Sequence, residues 1–225
     1  MDSLAKENFE NRLDDIDLIR ALSEVIDNKL LEAKSTEAEI TVTINEDTLN
    51  VLKSCIQMLT YNLVESSMRS CLEGVYDHIE DNGVGYNQLV ANVQEEILSG
   101  FLKKFDTGAL FRSEVKNDLN LLGPKASLAP KKVFNGNIDA DKVHSIKKKY
   151  RLNLNPHKEL RNGTDLDWLK DSRNELSHGN SSFSEHGRKD DLKRVLEQTD
   201  RVVGYVNTVI TSFEDYMDTQ SYLRQ

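Results

Sequence analysis

Residues 192–217, LKRVLEQTDRVVGYVNTVITSFEDYM, put Leu192, Val195, Leu196, Thr199, Val202, Val203, Val206, Val209, Ile210, Phe213, Tyr216 and Met217 on one face. The spacing of three and four persists for about seven turns at 3.6 residues each. This is either a core helix or the seam of a coiled coil. Working back from it, Thr164 can cap a helix carrying Trp168, Leu169, Ser172 and Leu176. Asp165 and Asp167 lie in its favourable first turn. His178-Gly179 should end it, because glycine supplies a left-handed stop. Val143, Ile146 and Tyr150 mark a short basic helix before it.

The N-terminal half repeats the pattern. Leu49, Leu52, Ile56, Leu59 and Leu63 begin a second helix, capped by Asn45 or Asp47 and running to about Ile79. Its stripe thins into Ser66, Ser67 and Ser70, small residues that let another helix come close. Cys55 and Cys71 read as small core residues. Leu89, Val93, Ile97, Phe101 and Phe105 mark a third helix that stops at Asp106-Thr107-Gly108. A first helix spans Glu7 to Ala33, with Phe9, Leu13, Ile16, Ile19, Leu22, Ile26 and Leu30 as its periodic positions. Residues 39–44 alternate polar and apolar, which predicts one short strand or an extended connector. Gly123-Pro124 and Ala129-Pro130 punctuate a surface excursion, with a short helix between Arg112 and Leu121. The expected fold is therefore all-α, with residues 1–44 as an acidic helical arm and 45–225 as the helical domain.

Composition narrows the function. The 225 residues suit one compact domain with an arm, and only 3 prolines and 11 glycines speak against a many-stranded protein. The net charge of −9 excludes a uniformly basic nucleic-acid coat and leaves room for a local basic site. Residues 1–50 hold thirteen acids against five bases, whereas residues 125–151 hold eight bases against Asp139 and Asp141. Both are read either as solvated faces or as a docking arm and a phosphate-attracting strip. Two cysteines make no disulfide scaffold, and a reducing cytoplasm fits. The N-terminus lacks a basic flank and apolar run, and no charge-free stretch reaches the ~18 residues of a membrane helix. No membrane association is expected, and no metal or cofactor site is legible in the five histidines.

One cluster carries chemistry: Ser172-Arg173-Asn174-Glu175-Leu176-Ser177-His178-Gly179-Asn180. Arg173 and His178 are five residues apart, about 140° round a helix, so they do not share one tight face. A guanidinium fork that grips phosphate, beside an imidazole that moves protons near neutral pH, suits phosphodiester chemistry. A histidine before a glycine is also a common structural device at a helix end, worth ~0.3–1 kcal/mol against the dipole.

The segment Arg173 to His178 resembles the R-x4-H motif of the HEPN superfamily (higher eukaryotes and prokaryotes nucleotide-binding domains). Asn174 fits the polar residue that often follows the arginine. The tail through Phe183 and Gly187-Arg188, with Tyr61-Asn62-Leu63-Val64-Glu65, is similar to stand-alone prokaryotic HEPN nucleases of toxin–antitoxin and phage-defence loci. The resemblance covers about 45–213 and implies a homodimeric bundle of four or five helices, with two motifs meeting across the two-fold. It implies a metal-independent endoribonuclease, with no cofactor, that cleaves RNA by attack of the ribose 2′-OH. His178 would be general acid or base, Arg173 would hold the phosphate, and Asn174 would orient the phosphate or the histidine. A protein partner such as an antitoxin or a defence-complex subunit belongs to the same expectation.

Weaker candidates surround the motif. Glu65 could pair with Arg173 or His178, or be an ordinary glutamate. Lys147, Lys148, Lys149 and Arg151 could contact RNA phosphates, as could His186 and Arg188 after the motif, although a solvated loop explains those two as well. Trp168 reads as core packing. The rival to the enzyme is a non-catalytic dimeric helical adaptor, or a regulatory subunit of a defence complex, whose acidic arm recruits a partner.

Overall fold

A computed structural model describes residues 3–28, 33–34, 41–42, 44–104 and 137–224. It is an all-α fold built around one long helix. Helix α1 (Leu4–Asp27) starts where the Ser3 side chain accepts the Lys6 N–H at 3.2 Å. It begins three residues before the sequence expectation and ends six before Ala33. Ala33–Lys34 (β1) pairs antiparallel with Thr41–Val42 (β2), so the strand expected within 39–44 finds its partner a few residues upstream.

Helix α2 (Glu46–Asp81) has 36 residues and a capping box, in which Asn45 accepts the Thr48 N–H at 3.1 Å and Thr48 reaches back. At 1.5 Å per residue it is roughly 54 Å long. Ile56, Leu63, Val64, Met68, Leu72, Val75 and Ile79 are buried along it. Helix α3 (Ala91–Lys104) follows a 3-10 turn at Tyr86–Gln88. The expected end of the third helix at Asp106-Thr107-Gly108, the short helix at 112–121, the excursion to 130 and Lys125, Lys131 and Lys132 lie outside the described residues.

The chain is described again from Asn137. Helix α4 (Ala140–Tyr150) is capped by Asp139, which accepts the Lys142 N–H at 2.8 Å. A 3-10 turn (Lys158–Gly163) leads to α5 (Asp165–Ser177), then the short α6 (Phe183–Gly187) and α7 (Leu192–Asp218). Thr164 does not cap α5 through its side chain. Its backbone is already helical (φ −61°, ψ −23°), because the preceding kink at Arg161 and Asn162 turns the chain before it. Asp165 instead binds Arg201 with both oxygens, at 2.6 and 3.2 Å.

One apolar core links α1, α2, α3, α4, α5 and α7. Phe9 and Ile16 of α1 are part of it, so the segment expected as an arm lies along α2 and α7. Asn8 donates to the Ser70 hydroxyl at 3.2 Å, so the serine run does admit a close helix. Helix α6 presses on α2 just as tightly: a Cβ at Gly187 would sit 1.9 Å from the Asn50 carbonyl oxygen. No described helix is long and apolar enough to cross a membrane.

Candidate functional site

The C-terminal turn of α5 carries Arg173, Asn174 and His178, and two neighbouring elements decide how each is held. Arg173 is half-buried, and its guanidinium carbon lies 5.5 Å from the centre of the Tyr61 ring on α2. Its Nη1 donates to Asn174 Oδ1 at 3.0 Å, and Asn174 Nδ2 donates to Asn137 Oδ1 at 3.2 Å. Tyr61 is 1% exposed, and its hydroxyl accepts the Ile138 N–H at 3.0 Å. Burial pushes the Tyr61 phenol above its ordinary pKa, so the ring faces Arg173 as a neutral hydroxyl-bearing plate. Arg173 makes no ion pair with a described residue, and its charge is not neutralised there.

The Asn137–Ala140 entry to α4 is itself clamped. Asp139 pairs with Lys170 at 2.9 Å, which holds its carboxyl below the usual range, and Ala140 N–H reaches Asp167 Oδ1 at 3.3 Å. The support beneath Arg173 therefore comes from three elements.

His178 stands differently. It is the C-cap of α5, its N–H donates to the Asn174 carbonyl at 3.1 Å, and its ring is exposed with no hydrogen bond to a described residue. Gly179 follows at φ +69°, with Gly179 N–H on the Leu176 carbonyl and Asn180 N–H on that of Glu175. This is the Schellman stop expected from His178-Gly179.

Glu175 ties the motif to α6 and the turn beyond it. It bonds the His186 Nδ1 at 3.1 Å through one oxygen and pairs with Lys189 through the other. The Lys189 ammonium, with help from His186, holds the Glu175 carboxyl below the ordinary glutamate range. His186 is 6% exposed and packs inside, so neither an RNA-facing nor a solvated-loop role survives for it. Ser54 and Lys53 of α2 bond the Phe183 and Asp190 carbonyls at 2.7 and 2.8 Å, which fixes α6 beside the motif.

The other candidates divide. Glu65 pairs with Arg69, one turn along α2 at 2.8 Å, rather than with Arg173 or His178. That pair lines a cleft of about 420 Å³ between α1 and α2. Arg188 is bound to Asp47 at 2.5 Å, with both side chains more than half exposed. Lys147 donates to the Leu154 carbonyl at 2.7 Å, and Lys149 pairs with Glu96. Lys148 is exposed, and so is Arg151, which ends α4 in the left-handed region at φ 54°. Trp168 packs against the core and donates to Asp190 at 3.4 Å. Burial raises the pKa of both cysteine thiols, as inert core sulfurs require. Among the described residues, no three His, Cys, Asp or Glu side chains are grouped to hold a metal ion.

Sequence reasoning missed Asn137 as part of this site, and it had Glu175 only as a letter of the motif and His186 only as an RNA-facing or loop residue, without the bond between them. Tyr61 entered it only as one letter of a resembling segment, because a contact across 112 residues leaves no local signal. A family model described as HEPN_MAE_28990-like HEPN matches residues 1–222. No curated protein and no solved structure matches the chain.

Proposed function

We propose a function from one premise: the chain belongs to the MAE_28990-like HEPN family. Its reading is a homodimeric endoribonuclease that works without a metal or cofactor, with Arg173 and His178 as its catalytic residues and Asn174 as the residue that orients Arg173. The observation that carries it is the guanidinium of Arg173, which pairs with no described carboxylate and is held by the Tyr61 ring and Asn174 on a helix that the exposed His178 caps.

In this reading the ribose 2′-oxygen forms the new bond to phosphorus while the bond to the 5′-oxygen breaks. A 2′,3′-cyclic phosphate and a 5′-hydroxyl result. One imidazole accepts the 2′-OH proton, and the His178 of a second copy supplies a proton to the departing 5′-oxygen. Arg173 bonds the phosphate oxygens on which charge gathers. Because the nucleophile is the substrate's own hydroxyl, DNA is spared. The setting we infer from the resemblance is a toxin–antitoxin or antiviral defence system. Lys148 of α4 and Arg151 at its C-cap, exposed and paired with no described residue, would attract the RNA backbone.

The test is incubation of the purified protein with RNA in EDTA, followed by end-group analysis of the fragments. Cyclic phosphate and 5′-hydroxyl ends that disappear in His178→Ala, with circular dichroism unchanged, support the reading. Intact RNA with wild-type protein overturns it in favour of the dimeric adaptor.

A further inference from the structure

Helix α1 has two apolar faces. At about 100° per residue, Ala5, Phe9, Ile16 and Ser23 fall on one side and are buried, from 0 to 6% exposed. Leu4, Leu18, Leu22 and Val25 fall within about 60° of one another on the opposite side. These four are 60, 71, 41 and 37% exposed. Leu18, Leu22 and Val25 are spaced four and three apart, the spacing of a helix–helix seam. A surface helix needs one apolar stripe, and the second stripe has no partner in the core formed by the described residues.

The rim says what fits there. Asp14, Asp15, Asp17 and Glu24 are exposed around the stripe, and none makes an ion pair with a described residue. Of the three bases of this helix, Lys6 donates to Asn207 of α7, Arg20 pairs with Asp200 of α7, and Arg12 lines the cleft between α1 and α2 with Glu65 and Arg69. Two copies of the stripe laid together would set these carboxylates against each other, and an anionic membrane would meet the same repulsion.

We propose that the outer face of α1 docks a basic amphipathic helix of a different protein, with leucine-type side chains on the Leu18–Leu22–Val25 seam and lysines or arginines on the acidic rim. This surface lies on α1, not on α5, and the proposal does not depend on the nuclease reading. It fits the helix-on-helix mode in which apolar anchors give affinity and flanking charge selects the partner.

The experiment uses the full chain and two synthetic 20-residue helical peptides with the same leucine spacing, one filled with lysine and arginine and the other with glutamate. The basic peptide should bind, more weakly as salt rises, and the acidic one should not. Leu18→Asp with Leu22→Asp should lower the affinity roughly 30-fold or more, as loss of a central anchor does. Asp14→Lys with Asp17→Lys, which leaves the leucines intact, should exchange the peptide preference and serves if the first variant unfolds. No binding of the basic peptide, equal binding of both peptides, or binding untouched by both variants overturns the proposal. So does self-association of the chain that Leu18→Asp with Leu22→Asp abolishes, since a second copy would then cover the face.

Discussion

Arg173 and His178 sit on one helix, five residues apart, in opposite circumstances. Arg173 is backed by an aromatic ring, bonded to Asn174 and, through it, to Asn137. His178 projects past the last turn with its imidazole in solvent. A phosphate grip must be in place before the substrate arrives, because preorganised charge acts most strongly when nothing reorganises during reaction. A proton carrier can be placed by the substrate or by a second copy. On the nuclease reading proposed above, the contrast is between a prepared half-site and an unprepared one, and the unprepared half is where dimerisation would act.

The largest expected effect breaks the contrast at its ends. His178→Ala and Arg173→Ala should each lower RNA cleavage by about 10²–10⁴-fold, the usual range for a positioned acid–base group or a charge-stabilising donor. They should differ in origin: a kcat loss for His178→Ala, and losses in both KM and kcat for Arg173→Ala. Equal kinetic signatures would mean that the two halves are not distinct. Next in size, Tyr61→Leu removes a fully buried ring and should destabilise the fold by about 2–4 kcal/mol in thermal unfolding. Tyr61→Phe keeps the plate and loses only the bond to Ile138, at about 1 kcal/mol. If Tyr61→Phe matches Tyr61→Leu in activity, the hydroxyl rather than the ring positions Arg173.

These substitutions also separate local signals from distant ones. The helix of residues 192–217, the Asn45 cap and the Gly179 stop are local patterns, and periodicity or cap chemistry encodes each within a few residues. Arg173 and His178 could be picked out as candidates from the sequence because their spacing is itself local. Tyr61, Asn137 and His186 were not, since each joins the site by a contact between elements distant in sequence. Partnering was equally hidden. Lys147 and Lys149 look alike in sequence, yet one binds a carbonyl and the other a carboxylate. Thr164 failed as a cap because a neighbouring kink, not its own side chain, sets its backbone.

A smaller effect should appear at the link between the motif and α6. Glu175 has its carboxyl lowered by Lys189 and His186, so its ionised form is favoured in the folded chain. A lowered folded value contributes stability that is present above the unfolded value near 4.5 and is lost as pH falls through the folded value. Glu175→Gln should therefore flatten the stability curve below about pH 4.5 and change it little in slope above, as measured by urea unfolding across pH. An unchanged acid limb would detach this carboxylate from the fold's pH response and leave its bonds to His186 and Lys189 as packing contacts only.

The smallest effect extends the contrast to α4, where anchored and free cations alternate. Lys147 and Lys149 are occupied by Leu154 and Glu96, whereas Lys148 and Arg151 are exposed and pair with no described residue. Each phosphate contact on a single strand contributes about 0.7 to the slope of log affinity against log salt. Lys148→Ala with Arg151→Ala should thus reduce that slope for single-stranded RNA by roughly 1.4 and leave the unfolding temperature nearly unchanged. Lys147→Ala should do the reverse, because it frees a carbonyl and removes no phosphate contact. If Lys147→Ala shifts the slope as much as the exposed pair does, then its bond to Leu154 yields to RNA, and holding a cation against the fold does not withhold it from substrate.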